Sequence, residues 1–262
     1  MSPEEQELLL SSLDSFLDQN LITEVMETVR GGKEATVFRC RAGSSSLSRN
    51  GGGASGAKFY AAKVYRAAER RSFRNDGAYR DGRVITNGRV RRAVASRSEF
   101  GCKVQQHLWI AAEYETQRLL FDAGVCVPRP VACNGSAILM EWIGDDSHSA
   151  PHLRHATLSE QQAIGALRSL LCDVERMLDY HRIHSDLSPF NILYWQGRAR
   201  IIDFPQAVDA RMNRNAYSLL CRDVENLCGF FKRQNIATPD PWRWATRQWD
   251  RYRTGELGAR SI

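Results

Sequence analysis

Two features are missing from this 262-residue sequence: a long apolar run and a paired-cysteine motif. No apolar stretch is long enough to cross a membrane. The first residues, MSPEEQELLL, are acidic, whereas a secretion signal would begin with basic residues. The seven cysteines include no C-x-x-C pair, which disfavours a disulfide framework and a zinc site built from thiolates. These absences predict reduced thiols, a cytoplasmic location and no membrane partner.

Acidic residues are scarce in one part of the chain. Between Arg66 and Arg97 the sequence has ten arginines but only three acidic residues, and the whole chain carries a net charge of +6. An excess of basic charge favours anionic partners such as a nucleotide or RNA. Weak periodicity over about 76–100 also predicts a flexible loop. The region Arg66–Arg97 is therefore the candidate contact for RNA.

The chain divides into a strand-rich half and a helix-rich half. Apolar residues at helical spacing predict an N-terminal helical element over 1–29. Residues 30–141 predict a small sheet carrying one helix, because strand-forming segments alternate with turns. Residues 144–238 have a mainly helical pattern with a short hairpin, whereas the Trp-rich tail over 239–262 has no clear pattern. The arrangement predicts a single α+β domain.

The segment HSDLSPFN, residues 184–191, and the later IIDF, residues 201–204, contain a notable set of polar residues. Asp186 could deprotonate an acceptor hydroxyl. Asn191 and Asp203 would supply oxygen ligands to Mg²⁺, and a hairpin between them would bring both to one place. Alone, HSDLSPFN fits a polar turn equally well. The second segment, at hairpin distance, favours phosphoryl transfer.

Lys63 lies in the middle of the apolar strand FYAAKVYRA, where an unpaired ammonium group would be costly. It therefore requires a carboxylate or a phosphate, unless it extends to solvent from an edge strand. The following helix offers Glu113 and Glu115 as partners. We predict Glu115, because it shares a helical face with the apolar residues Ala111 and Leu119.

Two further segments are candidates for nucleotide contacts. In GGKEATV the glycines allow a close approach of the backbone, so its N–H groups could cover phosphates, although an ordinary hairpin turn fits the same residues. The segment LMEWIG lies between the two halves and could bind adenine through its backbone, or simply end a strand in a turn. The cofactor-binding residues predicted in these segments are Gly31, Gly32, Lys33, Glu34, Ala35, Val37, Met140, Glu141 and Ile143.

Two other kinds of site are disfavoured by the sequence. His148, His152 and His155 invite a zinc hypothesis, but they surround a proline and have no cysteine nearby. Ser185 lacks the partner groups of a nucleophilic triad. We expect His184 to brace the turn by hydrogen bonding rather than to act as a base.

The segments resemble, in chain order, the motifs of the RIO atypical protein kinases, most closely the first RIO subfamily. GGKEATV is similar to S-T-G-K-E-A-N/D-V, AAKVYR to A-x-K-x-Y, and AAEYETQRLL to A-E-x-E. HSDLSPFN is similar to H-x-D-L-S-E-Y-N and IIDFPQAV to I-I-D-V-S-Q-A-V, and the likeness extends over about 21–236. The resemblance implies a trimmed, two-lobed, protein-kinase-like fold without the activation loop and peptide-binding subdomains. It also implies ATP with Mg²⁺, or alternatively Mn²⁺.

The resemblance assigns roles to five residues. Lys63 and Glu115 would form the ion pair that holds the phosphates, and Asp186 would be the catalytic aspartate. Asn191 and Asp203 would bind metal. In this family the aspartate that matches Asp203 has also been proposed to accept phosphate, which implies a slow ATPase acting on maturing small ribosomal subunits.

Other implications concern the acceptor. Ser96 and Ser98, in the Arg-rich stretch, are the candidate sites of autophosphorylation. Pro189 and Phe190 stand where the family usually has Glu and Tyr, so the choice of acceptor is open.

Three functions are compatible with the sequence. The first is an ATP-dependent serine/threonine kinase or slow ATPase. The second is a small-molecule phosphotransferase of the aminoglycoside or choline type, which shares H-x-D-x-x-x-x-N and I-I-D and would need an acidic acceptor pocket. The third is a ribosome- or RNA-binding factor that uses ATP only as a conformational ligand, with steeply salt-dependent RNA binding.

Overall fold

The computed structural model describes residues 3–32, 34–44, 57–66 and 99–257. The predictions made for Lys33, for Ser96 and Ser98, and for the Arg-rich stretch beyond Arg66 fall outside these ranges. Of the loop predicted over 76–100, only the last two residues are described. The loop prediction was wrong for these two, because they form the first turn of a helix.

A five-stranded antiparallel sheet organises the strand-rich half. Its strands are β1 (Ile22–Gly31), β2 (Ala35–Ala42), β3 (Phe59–Tyr65), β4 (Pro130–Cys133) and β5 (Ala137–Glu141). They lie in the order β1-β2-β3-β5-β4, so β3 is the central strand. The dipeptide Asn134-Gly135, which is typical of a tight turn, joins β4 to β5, with Gly135 at a φ of 84° that suits glycine.

Two short helices, α1 (Pro3–Ser11) and α2 (Asp14–Asp18), cover one face of this sheet. Their buried residues Leu9 and Phe16 belong to the same apolar cluster as Phe38 and Leu139 of the sheet. Each such side chain stabilises the fold by about 2 kcal/mol when fully buried. The helical element predicted over 1–29 was too long, because β1 starts at Ile22.

The opposite face of the sheet faces the long helix α3 (Glu99–Asp122). The amphipathic sequence pattern that predicts this helix starts at about Gln105, and the helix itself begins six residues earlier. Its buried residues follow one helical stripe: Ile110, Glu113, Gln117 and Leu120. It stops before Gly124, which adopts a φ of 76° as a glycine after a helix end commonly does.

The helix-rich half contains a short 3₁₀ helix, three α-helices and four short strands among its described residues. These are the 3₁₀ helix (Leu153–His155), α4 (Glu160–Asp179), β6 (Arg182–Ile183), β7 (Ile192–Trp195), β8 (Arg198–Ile201), β9 (Val208–Asp209), α5 (Ala216–Lys232) and α6 (Pro241–Arg253). Ser159 precedes a run of apolar residues at helical spacing, as an N-cap does, and it begins α4 with a reciprocal capping box to Gln162. One apolar core joins these elements.

Helix α6 lies in the Trp-rich tail, to which the sequence pattern assigned no structure. Asp240 caps its N-terminus by accepting a hydrogen bond from the backbone of Arg243 at 2.8 Å. Ala245 is fully buried, and Trp244 and Trp249 pack against the core of the helix-rich half. The tail is therefore part of the fold.

Replacement of this cap gives a first test of the fold. Asp240→Ala is expected to lower the free energy of unfolding by about 1 kcal/mol, because a backbone N–H of the first turn loses its acceptor. Asn215→Ala is the matched control, since Asn215 is the N-cap of α5 but makes no capping bond with its side chain. Chemical denaturation measures both variants. Equal destabilisation of the two would contradict the capping role of Asp240.

The described residues form two compact units. One contains the described residues up to 66 together with 99–115 and 129–143, and the other contains 116–128 and 144–257. No helix among the described residues combines the length and apolar character needed to span a membrane.

Candidate active site

The buried lysine of β3 has a carboxylate partner on α3. Lys63 Nζ lies 2.6 Å from Glu113 Oε1, and the two side chains are only 13% and 2% exposed. The prediction of Glu115 was wrong. The face of α3 that packs on the sheet contains Ile110 and Glu113, whereas Glu115 is exposed. The residue types were thus right, but the helix is rotated relative to the orientation inferred from Ala111, which is also exposed.

The two glutamates provide an internal control for this pairing. Glu113→Gln is expected to lower the free energy of unfolding by about 3 kcal/mol, because it removes the carboxylate that lies 2.6 Å from the buried ammonium group of Lys63. Glu115→Gln is expected to change it by less than about 0.5 kcal/mol, as is usual at an exposed position. Denaturant titration of both variants measures the difference, and equal effects would contradict the observed pairing.

A turn that contains Gly31 and Gly32 joins β1 to β2. Gly31 ends β1, and the N–H of Gly32 donates to Ala35 O at 2.8 Å, closing a tight turn. A Cβ at position 32 would lie 3.2 Å from that carbonyl oxygen. Ala35, the first residue of β2 after the turn, lies opposite Tyr65, two residues along β3 from Lys63, and Val37 lies opposite Lys63 itself. Glu34 is exposed in this turn, where its carbonyl accepts a bond from Arg66 N.

The LMEWIG segment starts within β5 and continues three residues beyond its end. Met140 lies opposite Ala61, two residues from Lys63, and therefore projects from the same sheet face as that lysine. The N–H of Glu141 donates to Arg129 O at 2.8 Å, so this predicted adenine contact already has a partner. The N–H of Ile143 donates to no other described residue, which leaves it available to a ligand.

The loop 184–191 is braced by its histidine. His184 Nε2 lies 3.1 Å from Ile202 O, and His184 Nδ1 accepts a bond from the backbone of Asp186 at 3.3 Å. The bracing role predicted for His184 is confirmed. The side chain of Asp186 is exposed. Asn191 Nδ2 donates to the backbone oxygen of Asp186 at 2.8 Å and to Asp186 Oδ2 at 3.1 Å.

Asp223 also holds this loop, and sequence reasoning missed it. It is 2% exposed on α5, and its two carboxylate oxygens accept the backbone N–H groups of Ser185 at 2.7 Å and Leu187 at 2.9 Å. Asn226, one turn further on, donates to Leu187 O at 3.1 Å. The available signal was an aspartate on an otherwise apolar stripe of α5, between Leu220 and Leu227.

The predicted hairpin between Asn191 and Asp203 is present. Ile192 of β7 pairs with Ile201 of β8, and Ile202 N donates to Asn191 O at 2.9 Å. Asn191 comes just before β7 and Asp203 just after β8, so both lie at the same end of the hairpin. Asp203 adopts a φ of 72°, an uncommon backbone conformation for a residue other than glycine. Such outliers concentrate at functional sites, where the surrounding structure holds them.

The three histidines of the zinc hypothesis do not form a metal site. Among the described residues no group of three or more His, Cys, Asp or Glu side chains is arranged to hold a metal ion. His148 is 82% exposed, whereas His152 is held by a backbone bridge to Leu193.

A central antiparallel strand with a lysine paired to a glutamate on a helix, and an aspartate–asparagine loop followed by a short hairpin, are features of the protein-kinase-like fold. Between Asp203 and the start of α5 at Ala216 the described chain has only the short strand β9, which leaves no room for an activation loop, so the fold is a trimmed one. The family model of the RIO domain matches residues 37–242, and the chain belongs to this family.

Individual relatives agree with this assignment. The human serine/threonine-protein kinase RIO1 is 27% identical over 86% of this chain and 36% of its own length. The RIO-type serine/threonine-protein kinase Rio1 of Methanocaldococcus jannaschii is 28% identical over 87% of this chain and 69% of its own. The chain thus spans little more than a third of the human relative.

A solved structure supports the fold. The Rio2 kinase of Chaetomium thermophilum, in its ADP/Mg²⁺–phosphoaspartate complex, superposes with a TM-score of 0.63 over 90% of this chain and 65% of its own, at 21% identity. Both the α+β class and the kinase-like architecture expected from the sequence are confirmed.

Proposed function

We propose that this chain is an ATP-dependent serine/threonine protein kinase of RIO type, which phosphorylates itself and a protein substrate or turns over ATP slowly. The observation that carries the proposal is the exposed Asp186 carboxylate, held by the amide of Asn191 at 3.1 Å on a loop anchored by buried Asp223. The names of the relatives, serine/threonine-protein kinases, support the same activity.

The residues would act mainly by positioning and electrostatics. Lys63 would bind the phosphates, and Glu113 would hold its ammonium group in place through their 2.6 Å ion pair. The backbone of the Gly31–Gly32 turn would cover the phosphates, while Ile143 N–H would bind the adenine. Asp186 would orient the acceptor hydroxyl and take its proton. The roles of Ala35, Val37 and Met140 would be to line the adenine side of the site.

The donor set fits a divalent cation. Asn191 uses its amide nitrogen to bind Asp186, and its amide oxygen accepts no hydrogen bond from a described residue. Together with the Asp203 carboxylate it offers the hard oxygen ligands that Mg²⁺ prefers, and Mn²⁺ accepts the same ligands. When bound, the cation would neutralise charge on the transferred phosphate. The solved Rio2 kinase of Chaetomium thermophilum is a complex with ADP and Mg²⁺.

Incubation with γ-labelled ATP and Mg²⁺ tests the proposal. The wild-type protein is expected to release labelled phosphate or to label itself, and Asp186→Ala and Asp203→Ala are expected to lose this activity. Acid-stable label would identify phosphoserine or phosphothreonine, whereas hydroxylamine-sensitive label would identify a phosphoaspartate at Asp203. A wild-type protein that neither hydrolyses ATP nor becomes labelled would contradict the proposal.

The RIO domain match favours this function over a small-molecule phosphotransferase. Binding to RNA or a ribosome through Arg66–Arg97 stays a prediction, since most of that stretch lies outside the described residues. A steep fall of RNA affinity with salt would support it, and salt-independent binding would contradict it.

We also propose a cytoplasmic location. None of the seven cysteines, all of which are among the described residues, forms a disulfide bond, as is usual in a reducing compartment. Fractionation of cells would test this, and recovery of the protein outside the cytoplasm would contradict it.

A further inference from the structure

An exposed aromatic ring and two basic side chains form a cluster next to the Asp186 loop. Phe190, in the loop itself, is 48% exposed. Arg154 Cζ lies 5.8 Å from the centroid of its ring, and the His155 ring stands edge-on to it at 6.2 Å. Below, these three residues are called the Phe190 cluster.

The Phe190 cluster is tied to Asp186 by hydrogen bonds along and across the loop. Arg154 N donates to Pro189 O at 3.1 Å, so the 3₁₀ helix is joined to the residue before Phe190. The residue after it, Asn191, donates to Asp186 O at 2.8 Å. A bridge between His152 and β7 adds a second attachment. Phe190 therefore lies on the same loop as the proposed catalytic carboxylate, and the 3₁₀ helix that contains Arg154 and His155 is hydrogen-bonded to that loop.

The charge of the cluster is not neutralised within the described structure. Arg154 is exposed, and its guanidinium makes no ion pair or hydrogen bond with any described residue. Its contact with the ring of Phe190 is a cation–π interaction, which restrains the side chain but leaves its charge uncompensated. A planar guanidinium presents N–H groups that match a carboxylate or a phosphate.

We propose that the Phe190 cluster selects protein acceptors with an acidic residue near the phosphorylated serine or threonine. Arg154 would bind the acidic side chain, and Phe190 would pack against the neighbouring peptide. This inference rests on the proposed kinase function and names the substrate class of the same site. The replacement of the family's Glu by Pro189, next to Phe190, agrees with this inference, since an acidic residue at position 189 would repel an acidic acceptor.

The test uses synthetic peptides as acceptors. A parent peptide has one serine among alanines, and in two series a single Asp or a single Lys moves through the four positions on either side of the serine. The wild-type protein is expected to phosphorylate the best Asp peptide with a kcat/KM about tenfold above the parent, which corresponds to one charge-assisted contact. Arg154→Glu is expected to lose this preference and to favour a Lys peptide instead.

Arg198→Ala is the matched control, because Arg198 is an exposed arginine in the β7–β8 hairpin and likewise lacks an ion pair with any described residue. It should keep the wild-type preference. Equal use of Asp and parent peptides, no peptide phosphorylation at all, or an Asp preference that survives in Arg154→Glu would each overturn the inference. ATP hydrolysis and self-labelling without peptide are measured in parallel. Either activity, together with any of these results, leaves the proposed function standing. A wild-type protein that neither hydrolyses ATP nor labels itself or any peptide overturns both.

Discussion

Asp186→Asn is expected to lower the rate of phosphoryl transfer by at least about a hundredfold, the usual contribution of a positioned general base. The substitution keeps the size of the side chain and an oxygen that can accept the bond from Asn191, but it removes the group that takes the proton. Initial rates with labelled ATP, measured at saturating nucleotide, report this loss.

Asp122→Asn provides the control, since Asp122 is an exposed aspartate at the end of α3. Its rate should match that of the wild type within about twofold, a change of well under 1 kcal/mol in the barrier. The denaturation curve of Asp186→Asn should also resemble the wild type, because the replaced side chain is exposed. Retention of more than about a tenth of the wild-type rate would exclude Asp186 as the base.

Asp223→Ala is expected to lower the free energy of unfolding by about 3 kcal/mol. Two buried backbone N–H groups, those of Ser185 and Leu187, would lose their acceptor, and each unsatisfied buried donor costs about 1–3 kcal/mol. Activity should fall as well, because the same N–H groups hold the loop that contains Asp186. Chemical denaturation and the labelled-ATP assay measure the two effects separately.

The cost of Asp223→Ala should depend on pH. Burial raises the pKa of Asp223 from 3.8 to about 6, although nearby His184 and the two N–H groups oppose the rise. The folded state therefore binds the proton more tightly than the unfolded state does. The resulting stabilisation is fully present below about pH 4 and is lost as the pH rises through 6. The difference between wild type and variant should be larger at pH 4 than at pH 7, by up to about 3 kcal/mol.

Two comparisons isolate this effect. Asp173 is a second buried carboxyl whose pKa burial raises to about 6, but it is present in wild type and variant alike and cancels in the difference. Glu225→Ala removes an exposed carboxyl from the same helix and should change stability little at either pH. A cost of Asp223→Ala that stays constant from pH 4 to pH 7 would show that Asp223 has the same pKa in both states.

Local sequence patterns were sufficient to predict a structural element wherever the residues that specify it lie in one segment of the chain. The apolar strand around Lys63 formed as predicted, and local patterns likewise indicate the N-cap at Ser159 and the turn at Asn134-Gly135. The spacing of Asn191 and Asp203 likewise predicted their common end of the hairpin, since a two-residue turn leaves little choice of register. His184 braced its loop as expected, because its partners are close in sequence or in the adjoining hairpin.

The sequence by itself determined the α+β class, the family resemblance and the segments that supply the lysine, the aspartates and the asparagine. Only the tertiary structure decided that Lys63 pairs with Glu113, that Asp223 holds the Asp186 loop, and that α6 packs into the core. The physical reason is common to all three. The rotation of a helix about its axis, and the partner of a buried charge, depend on contacts between segments that are distant in the chain, which local periodicity does not specify.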